Sequence, residues 1–115
     1  SIHSNAAGHG SKWMSAQGWS CYTSKGETKS DVIAECLYDA FEAEFAEKKI
    51  RKDMSDGDRD WEENFYVLQK SKCPAVLLEN FFYDNRDECA WLLKDETKER
   101  IADAIVKGII QYILL

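Results

Sequence analysis

An uninterrupted apolar run that ends in a carboxylate, Pro74-Ala75-Val76-Leu77-Leu78-Glu79, constrains this chain more than any other segment. A run without alternation suits a strand covered on both faces, as in a parallel sheet flanked by helices. A carboxylate at the end of such a strand is costly to bury unless something pairs with it. In open parallel sheets, functional groups collect at the carboxyl ends of the strands. Glu79 is therefore either one half of a buried ion pair or a group with a chemical task.

The rest of the chain supplies the elements that such a strand needs. At 115 residues with 44% hydrophobic content and four tryptophans, it fits one domain, residues 1–115, with a core of its own. Residues 1–5 read as a short strand, 6–17 as a Gly/Ser-rich loop, and 18–23 (GWSCYT) as a second strand. A long helix is expected from an N-cap at Ser30, with Ile33, Cys36, Leu37, Ala40, Phe41 and Phe45 on its apolar face. Asp39 and Glu42 fall on its solvated side. The charged stretch 49–63 reads as an exposed loop, and 65–69 (FYVLQ) as a short strand. Pro74 marks a turn before the buried strand 75–79. Asn85 with Glu88 opens a short helix to Leu93, and a last helix spans about Asp95 to Ile113. Ile101, Ala102, Ile105, Ile109, Tyr112 and Ile113 make its core stripe. Helices alternating with apolar strands predict an α/β fold, a mostly parallel twisted sheet flanked by helices.

Charge excludes some functions. A net charge of −6 opposes binding to nucleic acid or to anionic lipid, and no apolar run is long enough for membrane insertion. Cys21, Cys36, Cys73 and Cys89 contain no C-x-x-C pair, so they read as small buried apolar groups and not as a zinc knuckle.

Candidate chemistry gathers around two segments. His3 lies near the end of the first strand, followed by Asn5; taken alone, such a histidine is more often an ordinary residue than a metal ligand. His9 stands six residues away in a loop, which is not a zinc-helix spacing. Trp13 and Trp19 are either core residues or the walls of a groove near His3.

Taken in order, SIHSNAAG, GWSCYTSKG, FYVLQKSKCPAVLLENFFYDNRDE and ERIADAIVKGIIQYI resemble the type-3 family of zinc-dependent N-acetylmuramoyl-L-alanine amidases. Its S-hydrophobic-H-x-N strand matches Ser1 to Asn5, its P-A-V-L-hydrophobic-E segment matches Pro74 to Glu79, and its closing helix matches Ile101 to Ile110. One departure is Phe81, where many members carry glycine; it implies a changed shape beside the site. The other is at the front. The family's zinc is held by His, Glu and His, and only the third ligand has a match here, His3. The first-ligand role is not carried onto His9.

The resemblance implies a peptidoglycan hydrolase acting in the cell wall, either as a bacterial enzyme or as a phage lysin. It would cleave the amide between N-acetylmuramic acid and L-alanine, with Glu79 as general base and His3 as a Zn2+ ligand; Asn5, and Trp13 and Trp19 where they wall a groove near His3, are the candidate substrate contacts. It also implies that the chain is the C-terminal part of a catalytic domain, lacking its N-terminal strand and helix, with the remaining zinc ligands upstream of Ser1. The alternative is a non-catalytic fragment or wall- or partner-binding module without a complete zinc site. An open sheet edge would also allow a strand-exchange dimer.

Overall fold

The computed structural model describes residues 1–115. Four strands and four helices follow in the order β1 (Ile2–Asn5), β2 (Ser20–Thr23), α1 (Lys29–Glu44), β3 (Trp61–Glu62), α2 (Tyr66–Lys70), β4 (Leu77–Phe82), α3 (Arg86–Leu92) and α4 (Asp95–Ile113). The sheet order is β1-β4-β2-β3. β1 runs parallel to β4 and β2 parallel to β3, while β2 meets β4 antiparallel. The expected α/β architecture holds, with one antiparallel joint at the centre of the sheet.

The core lies between this sheet and α1 and α4. Trp19, Cys21, Leu78 and Phe81 come from the sheet side, Leu37, Tyr38, Phe41 and Phe45 from α1, and Ala104 from α4. Trp19 stacks on Phe41 with ring centroids 4.1 Å apart and takes Tyr38 edge-on at 4.9 Å. The Tyr38 hydroxyl donates to the Arg51 carbonyl and accepts from the Cys21 N–H, so its polar end is satisfied inside the core.

α1 begins two residues earlier than its sequence suggests. Thr28 is the N-cap: its side chain accepts from the Ser30 N–H, and Asp31 Oδ2 accepts from the Thr28 N–H at 2.7 Å, closing a capping box. Ser30 Oγ accepts instead from the Ala75 N–H, which ties the start of α1 to the approach of β4.

The charged stretch 49–63 is not a free loop. Trp19 donates to the Lys49 carbonyl, Arg51 donates to the Trp19 carbonyl, and β3 pairs in register with Tyr22 and Thr23. Arg59 joins Glu35, Asp39 and Glu42 at 2.6, 2.7 and 3.3 Å, so the supposedly solvated face of α1 is bridged by one guanidinium. Residues 66–70 form α2 rather than a strand. β3 already occupies the outer edge of β2, and of this segment only Leu68 is buried.

α4 keeps its expected limits, but its buried stripe is Thr97, Ala104 and Gly108. Ala102, Ile109 and Ile113 of the expected stripe are exposed, Ile113 by 70%. The reason is close approach: Gly108 lies against Leu37 of α1, which turns the larger side chains outward. Cys21 and Cys36 are buried as expected, whereas Cys73 is exposed and Cys89 half-buried. No helix is long and apolar enough to cross a membrane.

Phe81 has φ 64°, the left-handed region that favours glycine. The position demands an unusual backbone, one that glycine adopts without strain. Its side chain does not shape the site: it is buried in the core against Phe45 and Trp91.

Candidate active site

Register places the candidate pair side by side. In the parallel ladder His3 is the partner of Glu79, and on the other side of β4 Ser20 is its antiparallel partner. Directly paired residues project to one face, so His3, Glu79 and Ser20 form a row across three strands. This face is opposite the one that Cys21 and Leu78 turn to the helices. Glu79 is not at the strand end: β4 continues three residues to Phe82, because Asn80, Phe81 and Phe82 are all buried.

The Glu79 carboxylate is half-buried, and its Oε2 has no hydrogen-bond partner. Burial pushes its pKa above the ordinary glutamate value, and the neighbouring His3 pulls it partly back. Tyr22, two residues beyond Ser20 on the same face, has its hydroxyl pKa raised by burial and then by Glu79. His3 is exposed, with Nε2 2.9 Å from Ser1 Oγ. Its carbonyl accepts from Asn80 Nδ2, and Asn80 Oδ1 accepts from the buried Trp19 indole at 3.0 Å. The strand carrying His3 is thus anchored to the core through one amide side chain.

The other sequence candidates divide. Asn5 Oδ1 accepts from the Ala6 N–H, and its carbonyl accepts from the Tyr83 N–H beyond an irregularity between His3 and Asn5. Trp13 is exposed, with the Arg86 guanidinium 5.7 Å from its ring centre. Trp19 is corrected: at 0% exposure and stacked in the core, it lines no groove. The depression beside His3, about 400 Å³, is lined by Ile2, Asn80, Leu92 and Ile101 and holds neither tryptophan nor Glu79.

Two carboxylates that sequence reasoning assigned only to helix capping, or not at all, fix the loop beside the site. Asp84 accepts from the Ala7 and Gly8 N–H groups at 2.9 Å. Glu88 accepts from the Gly18 and Phe82 N–H groups at 2.9–3.2 Å and is buried. The N-cap duty falls to Asn85 alone, which accepts from the Asp87 and Glu88 N–H groups. The DNRDE run was the available signal, since so many short polar groups after a buried strand must find donors.

As a metal donor set, the row supplies one imidazole with a carboxylate beside it, and the orphaned Glu79 Oε2 suits a neighbouring proton or cation. This fits a share of a zinc site, which takes about three protein ligands. His9 is exposed on the 6–17 loop. The three side chains whose ligand atoms converge are elsewhere: Asp31, Asp60 and Glu62, within 4.8 Å of one another.

Comparison with known proteins identifies the fold and the family. A family model described as N-acetylmuramoyl-L-alanine amidase matches residues 1–111. An endolysin of Bacillus phage SPP1 is 43% identical over 49 residues, 43% of this chain and 18% of that protein. The catalytic domain of CwlV, an N-acetylmuramoyl-L-alanine amidase from Bacillus (Paenibacillus) polymyxa var. colistinus, superposes with TM-score 0.77 at 26% identity. That match covers 97% of this chain and 55% of CwlV. AmiC2 of Nostoc punctiforme shares the fold, with TM-score 0.80 at 24% identity over 99% of this chain and 56% of that one. The chain therefore spans about half the length of these solved amidases, and its match to the endolysin takes in under a fifth of that protein.

Proposed function

Because the chain belongs to the N-acetylmuramoyl-L-alanine amidase family, we propose that it carries the general base and one metal ligand of a peptidoglycan amidase acting on the bond between N-acetylmuramic acid and L-alanine. The observation that carries this reading is the in-register pairing of His3 with Glu79, with Glu79 Oε2 left without a partner. His3 would contribute one imidazole nitrogen to zinc, and the remaining donors would come from outside residues 1–115. Bound zinc would polarise the amide carbonyl and lower the pKa of water to about 7. Glu79 accepts the proton of the attacking water and delivers it to the departing alanine amine. Its partial burial serves this role, since a pKa above the ordinary carboxylate value makes it a better proton carrier near neutrality. Asn80 holds the strand of His3 in place, and Asp84 and Glu88 hold the loop that leaves it. The likeness to a phage endolysin and to wall amidases supports action at the cell wall.

In the full-length protein, Glu79→Gln is expected to abolish release of peptide from muramic acid while zinc content is unchanged. His3→Ala is expected to lower zinc content as well as activity. Retained hydrolysis in Glu79→Gln would sink the assignment.

The exposed outer edge of β1 favours a second reading for residues 1–115 alone: a non-catalytic module completed by a partner strand, including strand exchange with a second copy. Zinc-dependent hydrolysis by the full-length protein, lost in His3→Ala, supports the first. An inactive full-length protein, with residues 1–115 dimerising in sedimentation, supports the second, and stoichiometric zinc in residues 1–115 alone would require a different ligand set from the one proposed.

A further inference from the structure

We infer that a second metal site, selective for calcium, lies on the far side of β2 from β4, where Asp31, Asp60 and Glu62 converge and Asp56 and Asp58 stand next to them in sequence. Four of these alternate along one short segment, Asp56-Gly57-Asp58-Arg59-Asp60-Trp61-Glu62. Residues 60–62 run into β3, which puts Asp60 and Glu62 on the same side, and Asp56 and Asp58 precede them in a turn. Asp31 reaches them from the first turn of α1, and the ligand oxygens of Asp31, Asp60 and Glu62 lie within 4.8 Å of one another.

Asp60 supplies an independent sign of a ligand. It is 1% exposed, its Oδ1 has no hydrogen-bond partner, and Asp58 Oδ1 is buried in the same condition. A buried carboxylate oxygen left unpaired is expensive. The Thr23 hydroxyl sharpens the problem. Its Oγ1 is 2.6 Å from Asp60 Oδ2 and 2.9 Å from Asp31 Oδ1, yet it has one proton to give. One of those contacts therefore sets two lone pairs against each other. A cation among these oxygens removes the conflict.

No protein cation does so. The ion pairs of the chain leave all five carboxylates without a lysine or arginine, and the adjacent Arg59 is turned away to Glu35, Asp39 and Glu42. An all-oxygen, carboxylate-rich set without Cys or His is the chemistry of a hard divalent ion. Calcium accepts roughly six to eight oxygens in irregular arrangements at about 2.3–2.6 Å, whereas magnesium demands a near-octahedral shell and keeps its waters. The crowding of carboxylates favours calcium. Gly57, at φ 94°, allows the segment to turn between Asp56 and Asp58. A surface depression bordered by Glu27, Thr28, Glu35 and Asp58 gives access. The ion would clamp the 56–62 segment to the start of α1, and it uses none of the residues assigned to hydrolysis.

The test uses the chain stripped with EDTA and titrated with CaCl2, followed by thermal unfolding and calorimetry. Terbium luminescence sensitised through Trp61, which lies between two proposed ligands, gives a readout independent of activity. Calcium is expected to raise Tm, and Asp60→Asn and Asp58→Asn to weaken binding by at least about tenfold. Asp58 is partly exposed, so its variant keeps the test valid if Asp60→Asn fails to fold. Asp103→Asn, on α4, is expected to bind as the parent does. An unchanged Tm at millimolar calcium, magnesium binding as tightly as calcium, or undiminished binding in both variants would each overturn the proposal.

Discussion

Phe81 presents its ring to Trp91 edge-on, centroids 4.7 Å apart and planes at 89°, from a backbone φ of 64°. Two effects oppose each other there. The left-handed backbone costs a non-glycine residue about 1–3 kcal/mol. Burying a phenylalanine in a packed core and losing it again costs about 3–5 kcal/mol. Phe81→Gly is therefore expected to destabilise by about 2 kcal/mol, less than an ordinary core phenylalanine truncation. Phe41→Ala, from a relaxed helical backbone, is the comparison, and urea unfolding of both variants checks the difference.

Gly108 offers the converse case. In an exposed helix, glycine to alanine stabilises by about 1 kcal/mol. Here a Cβ would fall 2.7 Å from Leu37 Cδ2 and 3.0 Å from Leu37 Cα. The backbone atom cannot swing aside, so α1 and α4 must separate, at about 1–3 kcal/mol. Gly108→Ala is expected to lower Tm despite its better helix propensity; a raised Tm would show that the two helices can part cheaply.

Glu88 joins three segments through backbone donors: the end of β4, Gly18 before β2, and α3 from which it projects. Removing the charge while keeping the shape weakens charge-assisted bonds. Glu88→Gln should cost about 1–2 kcal/mol, and Glu88→Ala more, since two buried N–H groups then lack acceptors. Limited proteolysis should show earlier cleavage within residues 6–18 in both variants.

Asp39 gives a pH dependence of definite sign. A hydrogen bond from Gln111 of α4, and then Arg59, hold its carboxyl pKa below the ordinary aspartate value. A depressed folded-state pKa adds stability above the unfolded pKa of about 4 and loses it as pH falls through the folded value. Asp39→Asn should thus be less stable than the parent at neutral pH, by no more than about 1 kcal/mol for so exposed a group. The gap should close as pH falls through that depressed folded-state value, read as converging Tm values in an acid series.

Burial pattern explains what the sequence revealed. The run before Glu79 was legible because a strand covered on both sides needs no alternation, and α4 was legible because nineteen residues give a helical period room to repeat. α2 was misread because five residues cannot distinguish a turn of helix from a strand. β3 was missed because its two residues sit among charges, and what recruits them is the free edge of β2, a tertiary fact. The placement of His3 beside Glu79 depends on register between segments 76 residues apart, which no local pattern encodes. Glu88 was read as a cap because its spacing from Asn85 suits one, whereas the buried N–H groups it serves become visible only after folding.

β1 lies at the rim of the sheet, bonded to β4 on one side through Ser1, Asn5 and the carbonyl of His3. If His3 ligates zinc as proposed, whatever pairs along the free side of β1 would restrict the imidazole and thereby tighten its hold on the metal. Reciprocity then requires the metal to strengthen that pairing by the same factor. Assembly of the sheet and loading of the site would be two readings of one equilibrium, each usable as a reporter of the other.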